Sequence, residues 1–272
     1  MLRWRLFTAA VAIPFLLWLI YRGPVWFLDL FVLTVTYIAL REYAAMALRG
    51  VRGATTAVTL GGMTIALTMG LGSSGATISA GIVICLCGVL IGTLATAKDM
   101  ARSVGHAGQI LLGCLYAGVL LPHFIWVRAL PADGPNWVTY ILGCVMAGDA
   151  GGYFGGRFYG KRKLWPAVSP KKTVEGSVAS FVCSLVIGLA IARIGLTNVG
   201  VIEAILVSAV VNVLAQLGDL LESMLKRAYG ATDSGWIFPG HGGVLDRTDS
   251  LVLPVVFVYY YAILTQGYLS VP

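Results

Sequence analysis

The sequence predicts an all-α integral membrane protein, a polytopic bundle of about nine transmembrane helices with a cytoplasmic N-terminus. Three observations predict it: the composition, the spacing of the apolar runs, and the side of the membrane to which those runs assign the basic residues. Of 272 residues, 58% are hydrophobic and 11% charged, whereas a soluble domain carries about 25% charged residues. The mean hydropathy is +0.86. No segment is polar enough to form a soluble domain of its own.

The apolar runs centre on Leu6–Tyr21, Val25–Leu40, Thr56–Leu71, Ile78–Ala97 and Gly108–Val127, then on Trp137–Gly155, Gly176–Ile194, Val199–Leu220 and Leu251–Leu269. A span needs roughly 20 residues, within about 17–25, and the shorter runs qualify once their flanks are included. The first run, preceded by Arg3 and Arg5, has the look of a signal peptide; no small-residue cleavage site follows, and it reads as retained. With a cytoplasmic N-terminus, 16 of the 19 Lys and Arg residues fall in inside segments, leaving Arg22, Arg128 and Arg193 on the other side. That asymmetry is what the positive-inside rule predicts, and it supports both the helix count and the orientation; the protein is expected in the cell (inner) membrane. The net charge of +7 then reflects topology and contact with anionic membrane lipids, not a nucleic-acid surface. Cys85, Cys87, Cys114, Cys144 and Cys183 all lie in predicted spans without metal-ligand spacing and read as small buried hydrophobes.

Polar chemistry is concentrated in one part of the chain. Residues 1–135 read as scaffold helices whose charges follow from topology, and residues 136–272 as a catalytic region. Asp149, Glu175, Asp219, Glu222, Asp233, Asp246 and Asp249 all sit near predicted cytoplasmic helix ends. An ionisable side chain near a helix centre in the membrane costs about 2.5–3.5 kcal/mol on insertion scales, so such a gathering calls for a partner, a metal or a substrate. In "GDLLESMLKR", Asp219, Glu222, Ser223 and Lys226 share one helical face. A helix meeting water would show the same pattern, with Glu222–Lys226 an ordinary i,i+4 pair.

Asp149, Tyr153 and Arg157 recur every four residues, again on one face, among glycines that allow close approach of a backbone or ligand. "SPKKTVEG" follows, with Pro170 suited to a helix start and Lys171 and Lys172 beside it as a phosphate site. In "PGHGGVLDRTDS", Gly242 and Gly243 offer backbone N–H groups for an anion nest, and Asp246 and Asp249 flank the entry to the last helix, Asp249 as its cap. His241 has three open roles: general base, phosphate donor, or loop hydrogen-bonder. Carboxylates without cysteine neighbours suit Mg²⁺ or another hard cation. Carboxylates, cations and a glycine turn together are the parts of phosphoryl or nucleotidyl transfer. Residue chemistry alone thus points to a metal-dependent enzyme acting on lipid phosphate at the cytoplasmic face.

The pattern Ser223-x-x-Lys226-Arg227, Asp233-Ser234-Gly235, Pro239-x-His241-Gly242-Gly243-x-x-Asp246-Arg247-x-Asp249 resembles the signature of the phosphatidate cytidylyltransferase (CDP-diacylglycerol synthase) family. "SPKKTVEGS" and Asp149-x-x-Gly152-Tyr153 resemble its other marked segments. One departure stands out: Thr232 occupies the place of the family's lysine, which removes a cation from the phosphate site. The resemblance implies transfer of CMP from CTP to phosphatidate, with Mg²⁺ and room for a second cation. On that basis Asp219 and Asp246 are expected as metal ligands, supported by Glu222 and Asp249. Lys226, Arg227 and Arg247 are expected to neutralise phosphates, with Lys171 and Lys172 helping from the facing loop. His241, Gly242 and Gly243 would shape the phosphate turn, Ser223 would donate a hydrogen bond, and Asp149 would join the substrate site. A CTP-dependent lipid kinase, a cytidylyltransferase for another lipid phosphate, and an ion-coupled transporter are the alternatives, separable by product identity and by flux. Small-residue faces such as residues 151–156 would pack within the bundle or in a homodimer.

Overall fold

The computed structural model describes residues 13–72, 74–235 and 242–265. Helix α1 occupies residues 13–21. It is followed by α2 (Val25–Ala47), α3 (Ala54–Leu71), α4 (Gly75–Thr96), α5 (Met100–Gly118), the short α6 (His123–Arg128) and α7 (Gly134–Tyr159). A hairpin of β1 (Lys163–Trp165) and β2 (Ser169–Thr173) leads into α8 (Val174–Gly195), α9 (Val201–Ala228), α10 (Leu245–Thr248) and α11 (Val252–Thr265). Each of the nine apolar runs thus contains helix among the described residues. Among the described residues, five helical stretches are long and apolar enough to cross a membrane: α3, α4, α5 continuing through α6, α8 and α9. Helices α2 and α7 have the length, at 23 and 26 residues, but carry Asp29, Arg41 and Glu42, or Asp149 and Arg157, within them.

The outer surface is apolar, unlike that of a soluble protein, and polar side chains are buried beside the apolar core. Leu94 on α4, Ile194 on α8 and Ile202 on α9 point outward and are largely exposed. Thr36, Ser180, Ser184, Ser208, Asn212 and Glu222 are buried. Hydrocarbon solvent favours this arrangement, because polar side chains must find partners inside the bundle. Tyr140 donates to the Ala204 carbonyl at 3.0 Å and meets the Ser208 hydroxyl at 2.7 Å. The Asn212 amide reaches the Ser180 hydroxyl at 3.0 Å. Along α7 and α8 the fit is closer still: a Cβ on Gly155 would lie 2.3 Å from that of Ala179, so small residues set this spacing.

Two apolar cores form, and neither respects the division at residue 135. One joins Leu28 and Val32 of α2 to Trp137, Tyr140, Val207 and Val258; the other joins Leu40, Tyr43, Ile65 and Cys114 to Leu225, Leu245 and Val252. The C-terminal segment therefore settles onto the first helices.

The hairpin is the departure from an all-helical expectation. Its strands pair antiparallel, with Lys163 opposite Thr173 and Trp165 opposite Ser169. The Glu175 carboxylate accepts the N–H of Lys161 at 3.0 Å and of Arg162 at 3.1 Å, which ties the hairpin base to α8. Pro170 consequently lies in β2 and does not start a helix; α8 begins at Val174, where the Thr173 hydroxyl accepts the Gly176 N–H at 3.2 Å. A threonine cap satisfies an otherwise unpaired N–H, whereas proline fits an edge strand where no N–H is required.

Candidate functional site

Helix α9 organises the site. It runs for 28 residues, past the predicted end at Leu220, and carries Asp219, Glu222, Ser223 and Lys226 on a face turned into the protein. Glu222 is 0% exposed, which rules out the reading of this face as a helix surface meeting water. Lys226 pairs with Glu222 and with Asp246, the latter at 2.7 Å.

Asp246 is enclosed on both oxygens. Oδ1 takes the Lys226 ammonium. Oδ2 accepts the Ser234 hydroxyl at 2.8 Å, the Gly243 N–H at 2.8 Å and the Ser234 N–H at 3.0 Å. Burial pushes this carboxyl up, but the lysine and the N–H and O–H donors more than offset that and hold it well below the usual carboxylate range. Gly242 has φ +79°, and a Cβ there would stand 2.5 Å from Asp246 Oδ2, so the turn admits only glycine. The Gly243 N–H, expected in an anion nest, is taken by the protein's own carboxylate.

A second cluster lies on the other side of Asp219. A cavity of about 460 Å³ opens between α7, α8, α9 and β2, lined by Asp149, Tyr153, Arg157, Lys171, Lys172 and Asp219 among others. Thus the α7 face predicted from four-residue spacing does converge with the lysine pair of the hairpin. Lys172 Nζ meets Asp219 Oδ2 at 2.7 Å, and the Ser223 hydroxyl donates to Asp219 Oδ1 at 3.3 Å. The charges of Lys172, Arg247 and Asp219 all act on Asp149.

Asp249 links the two clusters. It is buried, and burial followed by the Asp219 charge pushes its carboxyl up to about 7. Its Oδ1 accepts the Ser250 N–H, one residue on, at 2.7 Å, whereas a helix cap would reach two or three residues on. Among the described residues no three His, Cys, Asp or Glu side chains converge into a group that could hold a metal; of the four expected ligands, Asp246 and Glu222 face Lys226 and Asp219 faces Lys172. Arg227 lies exposed on the last turn of α9. Arg247 is also exposed. His241 lies outside the described residues.

Two participants carry no local signal in the sequence. Glu42, on α2, is buried, and its Oε2 accepts the Leu245 N–H at 2.8 Å. Tyr116, on α5, is buried within electrostatic reach of Asp249, Glu222 and Asp219, and its hydroxyl has no hydrogen-bond partner among the described residues. The one available hint was an acid beside Arg41, at the end of an otherwise apolar run that the positive-inside pattern does not explain.

Comparison with known proteins bears on this geometry. The model of the cytidylyltransferase family matches residues 3–265. The phosphatidate cytidylyltransferase of Bacillus subtilis (strain 168) is 41% identical over 155 residues, 57% of this chain and 58% of that protein. The Staphylococcus haemolyticus protein of the same name is 40% identical over 152 residues, 55% of this chain and 57% of its own length. These two alignments take in under two thirds of each relative. That with the Staphylococcus saprophyticus phosphatidate cytidylyltransferase is 33% identical over 257 residues and spans 93% of this chain and 96% of the relative.

Proposed function

Because the chain belongs to the cytidylyltransferase family, we propose that it converts CTP and phosphatidate to CDP-diacylglycerol and pyrophosphate at the cytoplasmic face of the membrane. The observation that carries this reading is the convergence on Asp219: a cationic hairpin and an acidic helix face meet at the mouth of a cavity, inside a bundle whose outer surface is apolar. A soluble anion and a lipid anion can both reach such a place.

In the reaction a phosphatidate oxygen forms a bond to the α-phosphorus of CTP, and the bond from that phosphorus to the pyrophosphate oxygen breaks. Both reactants are anions, so charge repulsion dominates the barrier, and each well-placed contact that offsets it is worth about 10²–10³-fold in rate. Lys171 and Lys172 line the cavity and would hold the triphosphate. Lys226 pairs with Asp246 and would orient that carboxylate.

We further propose that the enzyme works with Mg²⁺, with Asp219 and Asp246 as its ligands and Glu222 and Asp249 in support. The donor type fits, the candidate ligands being carboxylate oxygens, although no three of them converge among the described residues; Asp249 is buried where the Asp219 charge acts on it, a like-charge arrangement that a divalent cation relieves. When bound, the ion supplies neutralisation of phosphate oxygens and polarisation of the phosphorus.

The test is turnover by purified protein in detergent with CTP, phosphatidate and Mg²⁺, following pyrophosphate and CDP-lipid together. Equal appearance of both is expected, and loss of both in EDTA. CDP with a newly phosphorylated lipid would replace this reading by a kinase.

A further inference from the structure

Glu42 stands in the half of the chain read as scaffold, yet its carboxylate is only 6% exposed and reaches 203 residues along the sequence to Leu245. A buried carboxylate is costly unless its hydrogen bonds are made, so its placement needs a reason. The residues around it supply one. Oε2 accepts the Leu245 N–H at 2.8 Å and lies 3.4 Å from the Ser234 hydroxyl. That hydroxyl has one proton, and its shorter contact, 2.8 Å, goes to Asp246. Glu42 therefore holds one end of the 234–245 segment by a hydrogen bond and braces the other by contact.

The glycines at the two ends give an independent observation. A Cβ on Gly235 would fall 2.3 Å from Glu42 Oε1, and a Cβ on Gly243 would fall 2.4 Å from Oε2. Neither glycine has positive φ, so backbone conformation does not require glycine at either place. The space is taken by the Glu42 carboxylate at Gly235, and at Gly243 by that carboxylate together with the Ser234 hydroxyl, 2.5 Å from such a Cβ.

We propose that Glu42 is a positioning residue for nucleotidyl transfer: a carboxylate supplied by the N-terminal half that fixes both ends of the 234–245 segment and, through Ser234, aims Asp246. The rate effect rests on the cytidylyltransferase reading; the hold on the segment does not. Misplacing a reacting constellation by about 1 Å costs on the order of 10²-fold, which sets the expected size.

The experiment combines steady-state kinetics with amide hydrogen exchange of the 242–250 peptide in full-length protein. Glu42→Leu should lower kcat on the order of 10²-fold, with a much smaller change in KM for CTP, and should speed exchange of that peptide. Glu42→Gln keeps a carbonyl oxygen for the Leu245 N–H and should restore most of both. Gly235→Ala, which presses a methyl onto the carboxylate, should lower kcat alone but cost little more when added to Glu42→Ala. Wild-type kcat and wild-type exchange in folded Glu42→Leu would overturn the proposal. Should that variant not fold, wild-type kcat and exchange in Gly235→Ala would do the same, as would additive effects in the double variant. An inactive wild type would count against the reaction, while exchange would still judge the hold.

Discussion

The two clusters on α9 differ in how they treat their charges. Toward the hairpin, Asp219 and Lys172 form one ion pair with both side chains about a quarter to a third exposed, over an open cavity. Toward the 234–246 segment, Asp246, Glu222 and Lys226 are nearly or wholly enclosed, and every Asp246 oxygen is occupied. The difference teaches a division of labour along one helix. The open side can exchange its internal partners for a ligand at smaller cost, because a pair open to water is worth less, down to about 0–1 kcal/mol for one on the surface. The closed side holds its geometry because breaking a buried pair costs about 3–5 kcal/mol.

The largest effects break the comparison at its two carboxylates. Asp219→Asn and Asp246→Asn should each reduce kcat by at least about 10²–10³-fold, but only Asp246→Asn should also speed amide exchange in residues 242–250. Identical exchange in the two variants would erase the distinction. Removing divalent metal with EDTA should abolish turnover, and returning Mg²⁺ should restore it; undiminished turnover would remove the ion from the proposal. Next, Lys226→Met leaves Glu222 and Asp246 without their cation and should destabilise the protein by about 3–5 kcal/mol, read as a lowered unfolding midpoint in detergent. Lys172→Met should shift that midpoint little and raise KM for CTP by roughly tenfold, a loss of about 1.4 kcal/mol in binding. Smallest of all, Thr232→Lys restores a cation to the exposed segment beside Asp233. It should lower KM for CTP about threefold, within the range of exposed charge contacts, and leave kcat unchanged.

Much of this was legible in the chain. Apolar runs located the helices, and i,i+4 spacing put Asp219, Ser223 and Lys226 on one face and Asp149, Tyr153 and Arg157 on another. Each of these sets does gather in the fold. What escaped is non-local or irregular. The hairpin has strands of three and five residues, too short and too basic to show an alternating pattern, and its closure depends on Glu175. Glu42 acts through a partner two hundred residues away, so no window of sequence displays the pair. The glycine turn was recognisable as an anion nest, but spacing could not tell that Asp246 is the anion it holds.

The 203-residue separation of Glu42 from Leu245 also has a meaning in time. At roughly 5–20 residues per second, a ribosome needs about 10–40 s to make the chain between them. Throughout that interval the acid has been synthesised and its partner has not. A nascent chain stopped before Leu245 leaves the Glu42 carboxylate without this donor, and only a longer one can bury it against the 234–245 segment.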